Sequence, residues 1–450
     1  MRLGRIFGVM LVLIFVSSNI CFAEKDSLEE RIKNLEARIE ALEKKTCDQD
    51  KYIEEQKTCI AAQNQKISVY ESKIAEIDTQ LHRQVGVPAF ERAGFRIGAD
   101  TTMVVQGTNN ANAATEKKND KTDASYSADI TVQKEFENLN SRAFIHLEAG
   151  QGNGLENDLS VFSNVNRDAD NDNNVRVSEA WYEQSFLNGN AEIVFGKLDP
   201  TAYFDNNAAA NDETTQFLGW IFRNSPVIEF PDNTAGFRTA IMPKDWLELS
   251  YGLFDGNSDW EKMFDNLFNI GQINFKTKFF NFLGNYRFLG WNNNSYHTKW
   301  LAPEKDKESN YGFGLSFDQK ASEIITLFAR YGWQNPKVYN PDITATGDLN
   351  YSLEYSWSAG LQLEGKPWGR EKDILAFALG QDIPSDDYKK ANTSLNARKE
   401  GHIEAYYNIH INDYLSLSPD FQYIWNPFGR DISDDTNGIF IGGLRTQVDF

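Results

Sequence analysis

Residues 415–425 read LSLSPDFQYIW, and residues 438–450 read GIFIGGLRTQVDF. In the first stretch the apolar face is formed by Leu415, Leu417, Phe421, Tyr423 and Trp425, and the polar face by Ser416, Ser418, Asp420 and Gln422. The second stretch alternates in the same way and ends at the aromatic Phe450. A period of two predicts β-strands. Strands with one apolar and one polar face are typical of a barrel that meets hydrocarbon outside and water inside.

The same period, followed through the rest of the chain, predicts sixteen antiparallel strands. We expect them at 95–107, 124–136, 141–150, 175–186, 191–197, 234–242, 246–254, 267–276, 280–291, 310–319, 323–334, 353–363, 372–382, 401–411, 414–426 and 438–450. Every second connection is short, for example 137–140, 187–190 and 243–245. This pattern predicts an all-β transmembrane barrel, with fourteen or eighteen strands as alternatives. A barrel near this size is wide enough for an aqueous channel.

Composition narrows the classes of protein that fit. The chain has 450 residues, a formal net charge of -20, and 13% aromatic residues against 41% hydrophobic residues overall. After the N-terminus no apolar run is long enough for a membrane-spanning helix, which excludes a helical membrane bundle. The acidic charge argues against nucleic acid as a partner, because phosphate binding needs clustered Lys and Arg.

Residues 1–23 are typical of a secretory signal peptide. Basic residues open the segment, an apolar run covers 6–16, and a small-residue cleavage site ends at Ala23. Lipidation of Cys21 is the alternative, although residues 18–20 fit a lipoprotein signal poorly. We therefore predict an exported protein.

Residues 28–81 carry a heptad repeat, which predicts a long α-helical coiled coil over 24–84 in the periplasm. One core position is occupied by Ile32, Ile39, Thr46, Ile53, Ile60, Ile67, Ile74 and Leu81, and the other by Leu28, Leu35, Leu42, Gln49, Gln56, Gln63, Tyr70 and Ile77. No Pro or Gly interrupts the repeat, and the helix would extend about 80 Å. A core of Ile and Leu favours a coiled coil of two helices, whereas the glutamines at three successive core positions also suit a coil of three helices.

Cys47 and Cys59 lie within this repeat. At helical rise they are roughly 18 Å apart, which excludes a disulfide within one helix. We expect free thiols, with an interchain disulfide as the alternative. Turn-forming residues mark a linker at 85–93, and the barrel is expected to occupy 94–450.

The longest interruption of the strand pattern is the segment 198–233. A loop this long in a compact domain is usually functional or disordered. Its aromatic residues argue against disorder, and in a wide barrel the space available is the lumen. We predict an inward-folded constriction loop, whose site residues are Asp199, Tyr203, Phe204, Asp205, Asn211, Asp212, Glu213, Phe217 and Trp220. The four aromatic residues among these either stack on solutes or anchor the loop to the wall.

Two parts of the sequence resemble a known family. They are VFGKLDP at 194–200 followed by NDETTQF at 211–217, and LSPDFQYIWNP at 417–427 with GLR at 443–445 and the final Phe450. Both are similar to the carbohydrate-selective porins of the OprB family, over roughly residues 90–450. The resemblance implies a sixteen-stranded, usually trimeric porin that passes glucose and related sugars, with an inward-folded loop at its constriction. The long coil departs from the simplest members.

Sugar passage needs polar groups that replace hydrogen bonds to water. Arginines and carboxylates facing a pore set a transverse field and bond to hydroxyls. By strand alternation, the residues expected to line the pore are Arg238, Glu248, Asn285, Arg287, Arg330, Glu404, Asp420, Gln422 and Arg445. The alternative for any one of them is that it only keeps a water-filled wall hydrated. His410, beside Asn408, is expected to be such a hydrated residue.

Other chemistries find little support. The chain has no nucleophile elbow, zinc-protease motif or phosphate loop, so we expect neither an enzyme nor a cofactor. Asp168, Asp170 and Asp172 before Glu179 resemble the spacing of a calcium loop. However, Asn173 replaces the turn glycine, and Glu179 falls within a predicted strand. We therefore expect a solvated external loop and no metal.

These observations predict an outer-membrane porin of a Gram-negative-type cell, in which small sugars such as glucose diffuse passively. The expected assembly is a homotrimer held together through the coil and the barrel. The expected partners are outer-membrane lipid and small sugars, with cell-wall contact through the coil and no nucleic acid. The alternatives are a general or ion-selective porin, or a structural envelope tether acting through the coil.

Overall fold

The structure is a computed structural model. It describes residues 33–47, 49, 51–53, 56–57, 94–113, 120–169, 174–262, 264–279, 281–304, 307–341, 352–394, 396–430 and 438–450. The chain divides into two compact units, Met1–Pro88 and Ala89–Phe450. The predicted signal peptide 1–23, the linker 85–93 and the coil segments 24–32 and 58–84, which include Cys59, lie outside the described residues.

In the first unit every described residue is helical, and these residues fall between 33 and 57. A coiled coil over the whole of 24–84 therefore stays a prediction. The heptad residues Leu35, Ile39 and Leu42 are all more than half exposed, so their apolar stripe is uncovered in a single chain. Cys47 is a free, exposed thiol. Among the residues described, no helix combines the length and hydrophobicity needed to cross a bilayer.

The second unit is built from β-strands. They are β1 (Phe95–Thr108), β2 (Lys121–Phe136), β3 (Ser141–Gln151), β4 (Arg176–Phe186), β5 (Ala191–Leu198), β6 (Thr234–Lys244), β7 (Leu247–Asp255), β8 (Leu267–Phe279), β9 (Phe282–Lys299), β10 (Glu308–Lys320), β11 (Ile325–Gln334), β12 (Val338–Tyr339), β13 (Leu353–Glu364), β14 (Ile374–Pro384), β15 (Glu400–Asn412), β16 (Leu415–Trp425) and β17 (Ile439–Asp449). Short helices at Trp220–Arg223 and Asp386–Ala391 lie in the connections.

Sixteen of these strands form a closed antiparallel barrel, as the sequence predicts. Consecutive strands are paired around the wall, and β1 pairs with both β2 and β17, so the sheet has no free edge. The exception is β12, a two-residue ribbon that pairs only with the end of β9. Closure satisfies every strand edge, which a β-structure must do in lipid.

The wall exposes apolar residues and buries polar ones, the reverse of a soluble protein. On β17, Phe440 and Leu444 are 47% and 44% exposed, whereas Arg445 and Gln447 are 1% and 4% exposed. The outer face therefore suits hydrocarbon, and polar groups gather inside. This distribution is the physical basis of the period of two in the sequence.

At one end of the barrel, short turns connect neighbouring strands. Glu137–Leu139 and Leu187–Gly189 are single 3-10 turns, completed by Asn140 and Asn188 in the left-handed region at φ 49° and 56°. Asparagine tolerates this conformation better than most residues, which fits these tight connections. In outer-membrane barrels the end with short turns faces the periplasm.

Strand β9 departs most from its predicted bounds, since it continues eight residues past 291. The polar run that follows was expected to be a loop. In the structure Asn293 and His297 point inward and are buried, because Glu229 of the long loop packs against them. Glu229 lies 3.0 Å from His297 Nε2 and accepts a 2.8 Å hydrogen bond from Asn310. A buried loop partner thus replaces the apolar residues that usually mark a strand.

The assignment of faces predicts opposite outcomes for neighbouring substitutions on β3. Ile145 is exposed on the outer face, whereas His146 lies 2.7 Å from Asp129 inside. Ile145→Arg puts a charge into hydrocarbon and should cost about 2–4 kcal/mol of unfolding free energy near the bilayer midplane. His146→Arg puts the same charge beside a carboxylate and should cost much less. Urea unfolding in lipid vesicles measures both, and equal losses would contradict the assignment.

Candidate functional site

The segment after β5 folds against the inner wall of the barrel. Phe204 is fully buried, with its ring centroid 6.3 Å from that of Phe254 on β7. Phe217 packs on Phe328 of β11 and Tyr406 of β15, at centroid distances of 5.6 and 4.9 Å. Phe204 and Phe217 therefore act as wall anchors, the second of the two roles considered for the loop aromatics.

Arg330 on β11 is the central polar contact of this loop. Its Nε and Nη2 donate to the carbonyl of Asp205 at 3.2 and 2.9 Å, and its Nη1 donates to the carbonyl of Phe222 at 2.6 Å. Its Nε also lies 3.3 Å from the Asp205 carboxylate, and both side chains are almost completely buried. The backbone N–H of Ser225 donates to the same carboxylate at 2.7 Å. One guanidinium thus joins two distant parts of the loop to the wall.

Two further wall residues hold the middle of the loop. Glu404 accepts hydrogen bonds from the backbone N–H groups of Leu218 and Gly219 at 2.6 and 2.9 Å. A Cβ at position 219 would lie 2.8 Å from the Glu404 carboxylate, so glycine permits this close approach. Arg445 on β17 donates to the carbonyl of Glu213 at 2.7 Å. The loop is therefore fastened to β15 and β17 as well as to β11.

A second loop, residues 152–169 after β3, also lies against the inner wall. The carbonyl of Val165 accepts hydrogen bonds from Gln106 at 3.1 Å and Gln422 at 2.9 Å. Nothing in the strand pattern marks this loop as internal. The available sign was the apolar stretch at 161–165, VFSNV, within a loop otherwise rich in Asn and Asp.

Asp168 belongs to this second loop, and its position corrects the expectation of a solvated external loop. The residue is 8% exposed and accepts a hydrogen bond from Ser127 Oγ at 3.0 Å. Burial raises the pKa of Asp168 well above its ordinary value, and nearby Glu213 raises it further. Asp170 and Asp172 lie outside the described residues. Within the described ranges, no cluster of three or more His, Cys, Asp or Glu residues is arranged to hold a metal ion.

The two loops are bonded to each other. The backbone N–H of Arg167 donates to the carbonyl of Leu218 at 2.8 Å, and that of Trp220 donates to the carbonyl of Asn164 at 3.1 Å. The Arg167 guanidinium lies 4.7 Å from the ring centroid of Trp220, and both side chains remain partly accessible. Two chain segments therefore form one composite structure inside the barrel.

Ion pairs run along the accessible side of the long loop. Arg223 lies 2.6 Å from Glu213 and 3.7 Å from Asp199, and it donates to Thr201 Oγ1 at 2.7 Å. Asn211 accepts a 3.3 Å hydrogen bond from Arg330. These contacts order the charged side chains of the loop in fixed positions, which limits their motion within the lumen.

Facing the loop, the wall carries a charged network. Arg238 on β6 pairs with Glu192 and, at 3.1 Å, with Glu248. Lys276 extends the network, 2.6 Å from Glu248. The Tyr203 ring of the loop lies 5.3 Å from the Arg238 guanidinium, a cation–π contact. Tyr203 and Arg238 thus connect the loop to charges that water reaches.

The predicted pore-lining residues all lie on the inner face of the wall, but many of them contact the loops. Besides the contacts above, three contacts connect wall residues: Arg287 pairs with Asp318, Asn285 donates to Asp318 at 2.8 Å, and Asp420 accepts from Gln422 at 2.9 Å. In the long loop, Asp212 accepts a hydrogen bond from the N–H of Thr214 at 2.9 Å. His410, on β15, lies 3.2 Å from Lys372. Their direct contact with a solute stays a proposal. Sequence reasoning missed Gln106, Ser127 and Glu400, which hold the second loop.

Comparison with known proteins identifies relatives. The model of the family "Carbohydrate-selective porin, OprB family" matches residues 141–450. An uncharacterized protein of Aquifex aeolicus is 22% identical over 260 residues, 58% of this chain and 65% of that protein. Porin B of Pseudomonas aeruginosa is 23% identical over 172 residues, 35% of this chain and 33% of that protein. The chain therefore covers less than two thirds of either relative.

The fold has its counterpart among solved structures. The high-pH structure of Pseudomonas putida OprB has a TM-score of 0.68 at 17% identity, covering 80% of this chain and 95% of that one. Its low-pH structure has a TM-score of 0.50 at 14% identity, covering 80% and 94%. These likenesses concern the barrel fold. The family consists of outer-membrane porins, which are channels and not enzymes. The chain belongs to the OprB family of carbohydrate-selective porins.

Proposed function

We propose that this porin passes small neutral sugars, such as glucose, by passive diffusion, and that its two internal loops set the selectivity. The observation that carries the proposal is that both loops are fixed inside the barrel by buried polar side chains. A constriction held in this way keeps its shape while solutes pass. The accessible ion pairs around it offer donors and acceptors to hydroxyl groups.

Liposome swelling tests the sugar preference. Purified protein in liposomes should admit glucose faster than an amino acid of similar mass, and much faster than a disaccharide. Glucose entry should saturate, because entry involves binding as well as passage. Swelling rates that depend on solute mass alone would show that the protein is a general porin without sugar preference. Absence of swelling, with the folded barrel verified, would leave the envelope tether as the leading function.

An ion-selective porin is the second candidate, favoured by a row of inward carboxylates. Asp449, Asp100, Asp129 and Glu148 stand opposite one another on β17, β1, β2 and β3. Like charges at such positions destabilise a sheet. Carboxylate-lined pores favour cations. The reversal potential in a KCl gradient, measured on the same preparation, distinguishes the candidates: strong cation preference without sugar preference supports this one.

Removing the central contact of the long loop should widen the pore. Arg330→Ala leaves the buried Asp205 carboxylate unpaired, and loss of one partner of a buried ion pair costs about 3–5 kcal/mol. We expect higher single-channel conductance and weaker discrimination between glucose and a disaccharide. Arg287→Ala is the matched control, since it breaks the buried pair with Asp318 on the wall. Equal conductance changes in the two variants would refute the anchoring role of Arg330.

We further propose that the N-terminal coil lies in the periplasm, joins three copies of the chain and contacts the cell wall. The uncovered apolar stripe at Leu35, Ile39 and Leu42 supports the association of helices. Deleting 24–84 should lower the native mass in detergent toward a monomer while sugar uptake per barrel stays unchanged. An envelope defect in cells with normal sugar uptake would support the tether role. An unchanged native mass would show that the coil is not needed for assembly.

A further inference from the structure

A cavity of about 400 Å³ lies between the tip of the constriction loop and the turn that joins β15 to β16. Thr215 and Gln216 form its side at the loop, and Asn412 and Asp413 form its side at the turn. Because the short turns mark the periplasmic end, the cavity lies on the exit side of the constriction. Its volume falls within the range of small-molecule sites.

Five of the thirteen residues that line this cavity carry amide side chains. They are Gln216, Gln362, Asn408, Asn412 and Gln447. An amide carries both donors and acceptors, and a sugar hydroxyl also donates and accepts. The hydroxyl of Ser416 adds a group of the same kind. The same lining also holds the carboxylates of Asp413 and Asp449 and the imidazole of His410, but no arginine.

Two of the polar groups, Asn408 and Gln362, are held in place by contacts with the loop. Asn408 Nδ2 donates to the carbonyl of Thr215 at 3.3 Å. Gln362 Nε2 donates to the carbonyl of Ala209 at 2.9 Å and to the Tyr406 hydroxyl at 2.8 Å. Two wall strands, β13 and β15, are thereby joined to the loop through residues that line the cavity. Prior ordering of such groups lowers the cost of binding a ligand.

The strand register changes at the rim of the cavity. His410 is opposite Ser416, whereas Asn412 is opposite Leu415, so one extra residue is accommodated in β15. Bulges of this kind re-aim side chains and are common beside functional sites. Ile374 and Leu415 supply small apolar surfaces in the same lining, which suit the C–H faces of a pyranose ring.

We propose that this cavity is an exit subsite for a neutral monosaccharide or disaccharide, distinct from the constriction. The inference rests on the proposed sugar function. Conduction needs sites that are weak and multiple, so that a solute can both enter and leave. A subsite beneath the loops holds the sugar after it has passed the narrowest point, and so supplies a second weak site in addition to the constriction.

Sugar block of ion current in planar bilayers tests the subsite in the full-length chain. Glucose is added on the short-turn side, and the half-blocking concentration is measured. Asn408→Leu should raise this concentration about tenfold, which corresponds to the loss of one or two hydrogen bonds. Ser416→Ala, which removes one hydroxyl and leaves the Asn408 contact intact, should raise it by a smaller factor. Block from the opposite side should change less.

Gln133→Leu is the matched control. Gln133 is an inward residue of β2, also a few residues from a short turn, and it lies outside the cavity lining. This variant should keep the wild-type half-blocking concentration and ion conductance. Equal shifts in Asn408→Leu and Gln133→Leu, or no shift in Asn408→Leu and Ser416→Ala, would overturn the subsite while the sugar function stands. No saturable block in the wild type would overturn both.

Discussion

The buried contact between Arg330 and Asp205 is the constraint on which the interior of this barrel depends. A guanidinium without access to water must have its charge balanced and its donors occupied. Here the carboxylate balances the charge and loop carbonyls accept the hydrogen bonds. The wall therefore needs the loop as much as the loop needs the wall. The loop covers apolar and charged surfaces of the wall that would otherwise face the lumen.

The second loop extends this logic. It occupies amide groups of β1 and β16, and it bonds to the backbone of the first loop through Arg167 and Trp220. The lumen is thus divided between residues that hold protein and residues that remain accessible to solutes. Charged side chains lie around the long loop and, through Glu192 and Glu248, near the short turns. Amide groups supply much of the lining of the cavity beside the turn that joins β15 to β16.

The wall could be predicted from sequence because its determinant is local. Alternation is visible within one strand, so most predicted strands match the observed bounds within two or three residues. The anchors were less accessible to prediction. Arg330 and Glu404 appeared as inward residues, but their partners lie more than a hundred residues away and carry no periodic sign. For the same reason the loop at 152–169 and the extension of β9 were missed, since buried polar partners replaced the apolar residues that pattern analysis detects.

Closure of the sheet between β1 and β17 has a consequence for the order of events in assembly. Asp100 pairs with Asp449, so the first strand of the wall completes its hydrogen bonds only when the last strand arrives. Until then both edges are open, and an open edge is unstable in lipid and prone to pairing with other chains. The barrel can therefore close only after the whole chain, including β17, has been synthesised. A chain lacking its final residues would retain nearly every other contact and still lack a membrane-stable state.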